Sequence, residues 1–517
     1  MSQVTPPPVP AADPRAPIPG QIPFIIGNEG CERFSFYGMR NILTVFLVSS
    51  LLAYLPEGER AGAAKEVFHT FVIGVYFFPL LGGWISDRWW GKYHTILWLS
   101  LVYSAGQFCL ALFVHNRTGF YAGLALIAIG SGGIKPCVSA FVGDQFDSTN
   151  KHRAKVVFDA FYWIINFGSF FASLLMPIFL RQLGAAVAFG VPGALMFLST
   201  VILWAGRKRY VMVPPAPPDP HSFLRVARTA LAAGRPGQVL AGTGVALAAA
   251  SFLLIPEFGF VISFCAALVA VIAFGGAGVR LQLEGARGRH PAEAVDGVGS
   301  VLRVLVLFAL VTPFWSLFDQ KASTWVLQAD AMTKPSWFQS SQMQALNPAL
   351  VMLLIPLNNL LFFPLLRRRG IEPTALRRMT TGIALAGLAW IVVGAMQLVL
   401  DGGHPFTIAW QVVPYIFLTL GEVLVSATGL EFAYSQAPQA MKGALMSFWL
   451  LSVTVGNLWV LIVNAAVRHP RVEAAIASTG FGVTACQMFF FAAFAFAAAL
   501  AFGLVARSYR VADHYRR

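Results

Sequence analysis

The chain has 517 residues, 57% of them hydrophobic and only 12% charged, with 44 phenylalanines and a formal net charge of +14. Soluble proteins average about 25% charged residues, so this composition excludes a water-covered surface and places most of it against lipid. The basic excess does not indicate nucleic acid. Lys and Arg cluster between apolar runs, in "DRWWGK", "KHRAK", "GRKR", "LLRRRG" and "ALRRM", where they act as a topology signal.

In chain order, the start "MSQVTPPPVPAADPRAPIPGQIP" is proline-rich and has no basic stretch followed by an apolar one. It reads as a disordered tail over 1–21 rather than a signal peptide. Apolar runs then predict spans at 22–53, 67–87, 94–115, 119–142, 156–180 and 187–206. The basic, proline-rich "GRKRYVMVPPAPPDPHSF" opens a linker over 207–300. Inside it, two more apolar runs near 238–279 are joined by "PEFG" into a hairpin that is poor in polar residues and expected to be peripheral. Six further spans are predicted at 301–328, 347–366, 376–400, 408–432, 441–467 and 484–506, before a tail at 509–517.

Lipid offers no partner to backbone N–H and C=O groups, so every span must be helical. The expectation is an all-α polytopic membrane protein with two six-helix bundles, 22–206 and 301–508, plus the inserted pair, fourteen transmembrane helices in all. With a cytoplasmic N-terminus, one side holds Arg88, Lys92, Lys151, Arg153, Lys155, Arg207, Lys208, Arg209, Arg367, Arg368, Arg369, Arg377, Arg378 and Lys442. The opposite loops "VHNRTG", "PSWFQSSQ" and "LDGGHPF" are poor in bases. This alternation predicts an even number of spans and both termini in the cytoplasm. Cys31, Cys109, Cys137, Cys265 and Cys486 fall in apolar segments without paired short spacing and read as helix-packing residues.

Against this background, "GNEGCERFSFYGMR" is unusual, because it puts Glu29, Glu32, Arg33 and Arg40 into the first span. At 100° per residue they share one face with Phe36 and Tyr37. Each central charge costs ~2.5–3.5 kcal/mol to insert, so the stripe must face a partner or a wet cavity. A lone Glu–Arg pair would serve only to lock helices together; two acids and two bases exceed that need. More intramembrane charges follow: Lys135 in "GSGGIKPCVSAF", Asp319 and Lys321 in "FWSLFDQKASTW", Glu422 in "LGEVLVSATGLEF", with the amides Asn166, Asn347 and Asn457. The first half is therefore rich in bases and the second in acids. A zwitterion fits that polarity, its carboxylate at Arg40 and Lys135 and its ammonium at Glu422 or Asp319. Tyr37, Tyr76, Trp315 and Trp449 are candidates to wall pockets for apolar groups. A carboxylate whose basic partner changes during transport changes its proton affinity, which suits proton coupling.

These residues also carry a resemblance. Glu29-x-x-Glu32-Arg33-Phe34-x-Phe36-Tyr37-Gly38 resembles the E-x-x-E-R-F-x-Y-Y-G signature of the proton-dependent oligopeptide transporter family (POT, or PTR2), within the major facilitator superfamily. Phe36 replaces the first tyrosine, which removes a hydroxyl. "GGWISDRWWGKYHT", "FYWIINFGS", "FWSLFDQKASTW" and "MKGALMSFWLLS" are similar to further family motifs, in the family's order. The resemblance implies a symporter that imports di- and tripeptides with protons by alternating access. It also implies protons as the coupling ion, no other cofactor, a functional monomer and a place in the plasma (inner) membrane. It makes Glu29, Glu32 and Arg33, with Asp319 and Glu422, the proton-coupling residues. Arg40 and Lys135 would take the peptide C-terminus, Asn166, Asn347 and Glu422 the backbone and amino end, and Tyr37, Tyr76, Trp315 and Trp449 the side chains. Arg40 with Asp319, and Lys135 with Glu422, would form gating salt bridges, so Glu422 carries two expected roles.

The nearest rival is the same fold carrying nitrate, another anion or a peptide-like drug; the retained E-x-x-E-R acids favour peptides. A polytopic membrane enzyme would need a nucleophile and base or metal ligands, whereas the nine histidines lie mainly at span ends or in loops without metal spacing. A passive channel would not need bases and acids divided between the two halves.

Overall fold

The computed structural model describes residues 17–147, 150, 153–215, 219–436 and 441–509. Most of the expected tails, 1–16 and 510–517, and Lys151 lie outside the described residues, as does the side chain of Lys155. The apolar runs become helices, and among the described residues the only isolated β bridge joins Thr333 and Thr407. In order the main helices are α1 (Ile22–Phe46), α2 (Glu57–Phe77), α3 (Gly91–Leu112), α4 (Arg117–Gly143), α5 (Ala154–Leu183) and α6 (Ala185–Ala205). The linker carries α7 (Phe223–Ala232), and the hairpin is α8 (Arg235–Ser251) and α9 (Ile255–Leu281). Then come α10 (Ala292–Asp319), α11 (Leu346–Leu357), α12 (Ala375–Asp401), α13 (Val412–Glu422), α14 (Lys442–Ala466) and α15 (Val483–Ser508).

Twelve continuous helical runs among the described residues are long and apolar enough to cross a membrane. Two of them, Glu57–Leu112 with 56 residues and Arg235–Leu281 with 47, each hold two crossings of ~20 residues. The count is thus consistent with fourteen spans, and the chain is a multi-pass membrane protein. The chain reverses where it must adopt a left-handed backbone: Gly91 has φ +70 and Gly259, in the "PEFG" turn, φ +78. At other ends side chains replace the missing helical partners. Asn116 Oδ1 accepts from the Gly119 N–H at 3.0 Å ahead of α4, and the Thr374 hydroxyl caps α12.

Two boundaries differ most from the sequence expectation: α2 begins at Glu57, not near 67, and α10 begins well before 301. α10 begins at Ala292, not near 301, because its polar opening still presents Val295, Val298 and Val301 to a buried cluster with Val226, Ala227 and Ala230 of α7. Spacing of three residues keeps those valines on one helical face. α7 is further held by His290. The Thr229 hydroxyl donates to the Arg225 carbonyl, so His290 Nε2–H donates to Thr229 Oγ1 at 2.9 Å. That leaves Nδ1 of His290 bare to accept from His221 Nδ1–H at 3.0 Å.

Packing divides the chain into two compact units, Met1–Ile42 with Phe78–Ala216, and Leu43–Phe77 with Pro217–Arg517. In the first, α3 packs along α4 and α6, and Tyr93, Phe141 and Tyr210 form an aromatic cluster. In the second, α2 lies along α14, where Asn464 Nδ2 donates to the Gly62 carbonyl at 3.1 Å. Its core gathers Phe314 of α10, Trp390 of α12, Trp449 of α14 and Phe491 of α15. α10 does not run on smoothly. Gln320–Ala322 form a tighter turn, Ser323 leaves helical geometry at φ −127 and ψ −81, and a short helix Thr324–Asp330 follows.

Candidate functional site

In the first unit the site is built on α1. Asn28 and Ser35, two turns apart and so on one face, fix its rotation: Asn28 Nδ2 donates to Ser199 Oγ at 2.6 Å and Ser35 Oγ to the Pro192 carbonyl at 2.7 Å, both on α6. With that face pinned, Glu29, Glu32, Arg33 and Arg40 are all buried. Arg33 Nε stands 2.8 Å from Glu29 and 2.5 Å from Glu32. Neither contact of Arg33 Nε has hydrogen-bond alignment, so the attraction there is Coulombic. One guanidinium therefore serves two carboxylates, a net negative cluster. Lys135 of α4 adds its positive charge to the surroundings of both acids, with Nζ 4.8 Å from the Phe36 ring centre. Phe36 in turn meets Tyr37 edge-on at 5.5 Å. Removing Arg33 would strand two buried carboxylates, a disruption on the order of 3–5 kcal/mol.

The second unit holds two polar networks. Around Asn347 at the start of α11, Oδ1 accepts from Lys321 Nζ at 2.7 Å, while Nδ2 donates to Glu422 at 2.5 Å and to Thr419 Oγ1 at 3.1 Å. Backbone irregularity accompanies the charge: a π turn over Val423–Ala427 follows Glu422 directly. The other network is a chain. Asp319 accepts from Asn457 Nδ2 at 2.8 Å, Asn457 Oδ1 meets His69 Nδ1 at 2.6 Å, and His69 Nε2 meets Ser323 Oγ at 2.9 Å. Because Asn457 Oδ1 only accepts, His69 carries its proton on Nδ1 when neutral. Trp315 and Trp449 meet edge-on at 5.9 Å, and Tyr76 packs against the same core.

The expected residues thus fall into groups. Glu29, Glu32 and Arg33 come together with Lys135 in the first unit; Asn347 joins Glu422, and Trp315 joins Trp449, in the second. Asp319 pairs with Asn457. Asn166 is bonded within its own helix, donating to the Tyr162 carbonyl at 3.0 Å. Arg40 and Lys135 belong to one unit, Asp319 and Glu422 to the other. Sequence reasoning set His69 aside among histidines at span ends; it is in fact fully buried. The signal available was a histidine within an apolar run. Among the described residues no three His, Cys, Asp or Glu side chains converge on a metal position.

Comparison with known proteins follows from this geometry. The sequence pattern of the family described as "PTR2: POT family" matches residues 93–479. The chain belongs to the POT family. It is 34% identical over 424 residues to "Peptide transporter family 1" of Drosophila melanogaster, across 77% of this chain and 49% of that protein. It spans about half the length of the curated relatives it matches. Among solved structures it resembles an auto-inhibited POT family peptide transporter at 64% identity and TM-score 0.95, over 96% of this chain and 99% of that one. It also resembles the POT family transporter PepTSo at 63% identity and TM-score 0.94, over 97% and 100%. The POT match includes Lys135, Asn166, Trp315, Asp319, Asn347, Glu422 and Trp449, whereas Glu29 to Arg40 and Tyr76 precede it.

Proposed function

We propose that the chain is a proton-coupled symporter that imports di- and tripeptides by alternating access, a transporter and not an enzyme. The observation that carries this reading is the buried guanidinium of Arg33 held between Glu29 and Glu32, with Lys135 close by. An intramembrane cluster of this kind marks an ion or proton pathway rather than a lock. Protonation of Glu32 removes half of the negative charge that holds Arg33 and changes what the neighbouring bases attract. A peptide supplies that partner: its carboxylate suits Arg40 and Lys135, and its ammonium suits Glu422, whose Asn347 neighbour also matches a peptide backbone. Asp319, linked to His69 through Asn457, is a second proton-coupling position. Tyr37, Tyr76, Asn166, Trp315 and Trp449 complete the residues assigned to substrate. The relatives named as peptide transporters support the substrate class. The same reading puts the protein in the plasma (inner) membrane as a functional monomer, with both termini cytoplasmic.

The test is uptake of a labelled dipeptide into proteoliposomes with and without an imposed inward pH gradient. Gradient-dependent accumulation, competed by tripeptides and not by nitrate, is expected. Uptake indifferent to the gradient would remove proton coupling, and competition by nitrate alone would replace the peptide with an anion.

A further inference from the structure

The hairpin touches the rest of its unit at two levels: near the end of α9 Val279 is buried with Val226, Ala227 and Ala230 of α7, and nearer the start of α9 a second contact forms. There Cys265 is buried with Ile73, Leu458 and Leu461, and Phe264 meets Phe77 edge-on at 5.4 Å. Between those two levels, α9 parts from α10 and α14 and leaves a groove of about 510 Å³. Ile272, Leu305, Phe308, Leu451, Val455 and Trp459 supply apolar walls.

Three properties define what this groove holds. Its length follows from α9: Val269 and Arg280 both line it, and eleven steps of 1.5 Å span about 16 Å. That is one leaflet of a hydrocarbon core ~30 Å thick. Its polar groups are already engaged. Trp459 Nε1 donates to Thr312 Oγ1 at 3.0 Å, Thr312 donates to the Ala309 carbonyl at 2.8 Å, and Ser452 to the Trp449 carbonyl at 2.6 Å. Among the described residues its one charged lining residue is Arg280, exposed in the last turn of α9, and no acid lines the groove. A zwitterionic peptide finds no anion there to meet its ammonium.

We propose that this groove binds one phospholipid: an acyl chain lies between α9 and the α10 and α14 wall, and the phosphate meets Arg280. The chain leaves a bilayer and not water, so the hydrophobic effect gives no selection. Selection rests on the fit of the chain and on charge-assisted hydrogen bonds from the guanidinium to phosphate. The bound lipid fills the gap that the hairpin leaves between its two buried contacts.

The full-length protein, delipidated in detergent, is titrated with dioleoylphosphatidylglycerol or with dioleoylglycerol and examined by native mass spectrometry. One retained phosphatidylglycerol is expected, with dioleoylglycerol held about tenfold more weakly. Arg280→Ala lowers phosphatidylglycerol retention about tenfold and leaves dioleoylglycerol unchanged. Ala273→Trp, which fills the groove from α9, lowers retention of both. If that variant fails to fold, Ala309→Leu on the α10 wall replaces it. Equal retention of the two lipids by the wild type overturns the proposal. So does a groove-filling variant that folds and keeps wild-type lipid, since the phosphate would then be held on the basic surface.

Discussion

α1 and the hairpin are both apolar enough to span a bilayer, yet they meet it in opposite ways. In its most apolar stretch α1 is 67% buried inside the protein, the hairpin only 17%. Hydropathy does not explain this order, because the hairpin stretch is the more apolar of the two. Charge does. α1 carries Glu29, Glu32, Arg33 and Arg40, whereas between Arg235 and Arg280 the hairpin holds only Glu257, at its turn. Lipid accepts a bare apolar helix; a charged one must be enclosed by protein that supplies counter-charge. In this pair, enclosure goes with charge and bareness with its absence.

That contrast breaks if the enclosed charges prove dispensable or the bare helices essential. The largest effect is expected for Glu32→Gln. Gradient-driven uptake falls about 100-fold, as for loss of a positioned proton-transfer group, while counterflow, which needs no net proton movement, stays measurable. Unchanged accumulation under a pH gradient would deprive the cluster of its coupling role. Next, Lys135→Ala removes one charged hydrogen-bond donor, worth ~1.5–3 kcal/mol. The half-saturating dipeptide concentration should rise about 10- to 100-fold, and a normal value in the same assay would count against a carboxylate contact. Asn457→Leu takes a hydrogen-bond partner from both Asp319 and His69. Thermal unfolding in detergent should report a loss on the order of 1–3 kcal/mol; an unchanged melting curve would show the network to be slack.

On the accessory side, deletion of 238–279 is expected to lower the melting temperature while uptake per folded molecule stays within about twofold, because few buried contacts are lost. A folded deletion lacking transport would overturn the contrast. The smallest effect belongs to the linker. Burial, then the charges of His221 and Arg289, hold His290 below the ordinary histidine value. A group whose folded value is lowered contributes stability that is present above its unfolded value of ~6.5 and is lost as pH falls through the folded one. Relative to its cleavage of an unstructured peptide at the same pH, trypsin should therefore cut near α7 about twofold faster at pH 5.5 than at pH 7.5, and His290→Asn should flatten that difference.

Much of this was legible in the sequence. Long apolar runs are one-dimensional signals, so all the spans and the "PEFG" reversal could be read directly, and the stripe on α1 needed only helical periodicity. Lys135, Asp319 and Glu422 stood out because charge is rare in such runs. The partners of those charges were not legible. His69 meets an asparagine 388 positions away, and nothing local to either residue encodes that approach. Asn166 could not be distinguished from Asn347 by sequence, since an amide serves its own helix or a neighbour equally well; only packing sends one to Tyr162 and the other to Glu422. The early start of α10 was missed because its polar residues hide three valines that become apolar contacts only once α7 is in place.

The interruption at Ser323 has a mechanical consequence. An unbroken helix transmits a tilt along its whole length; one released at a single residue does not. Thr324–Asp330 is anchored, with Trp325 wedged against Tyr415 at 5.1 Å and its carbonyl held by Gln411 at 3.0 Å. Ser323 thus divides the rod ending at Asp319 from an anchored stub, and the Asp319 carboxylate sits beside the break, where a small change of angle would be enough to stretch one hydrogen bond.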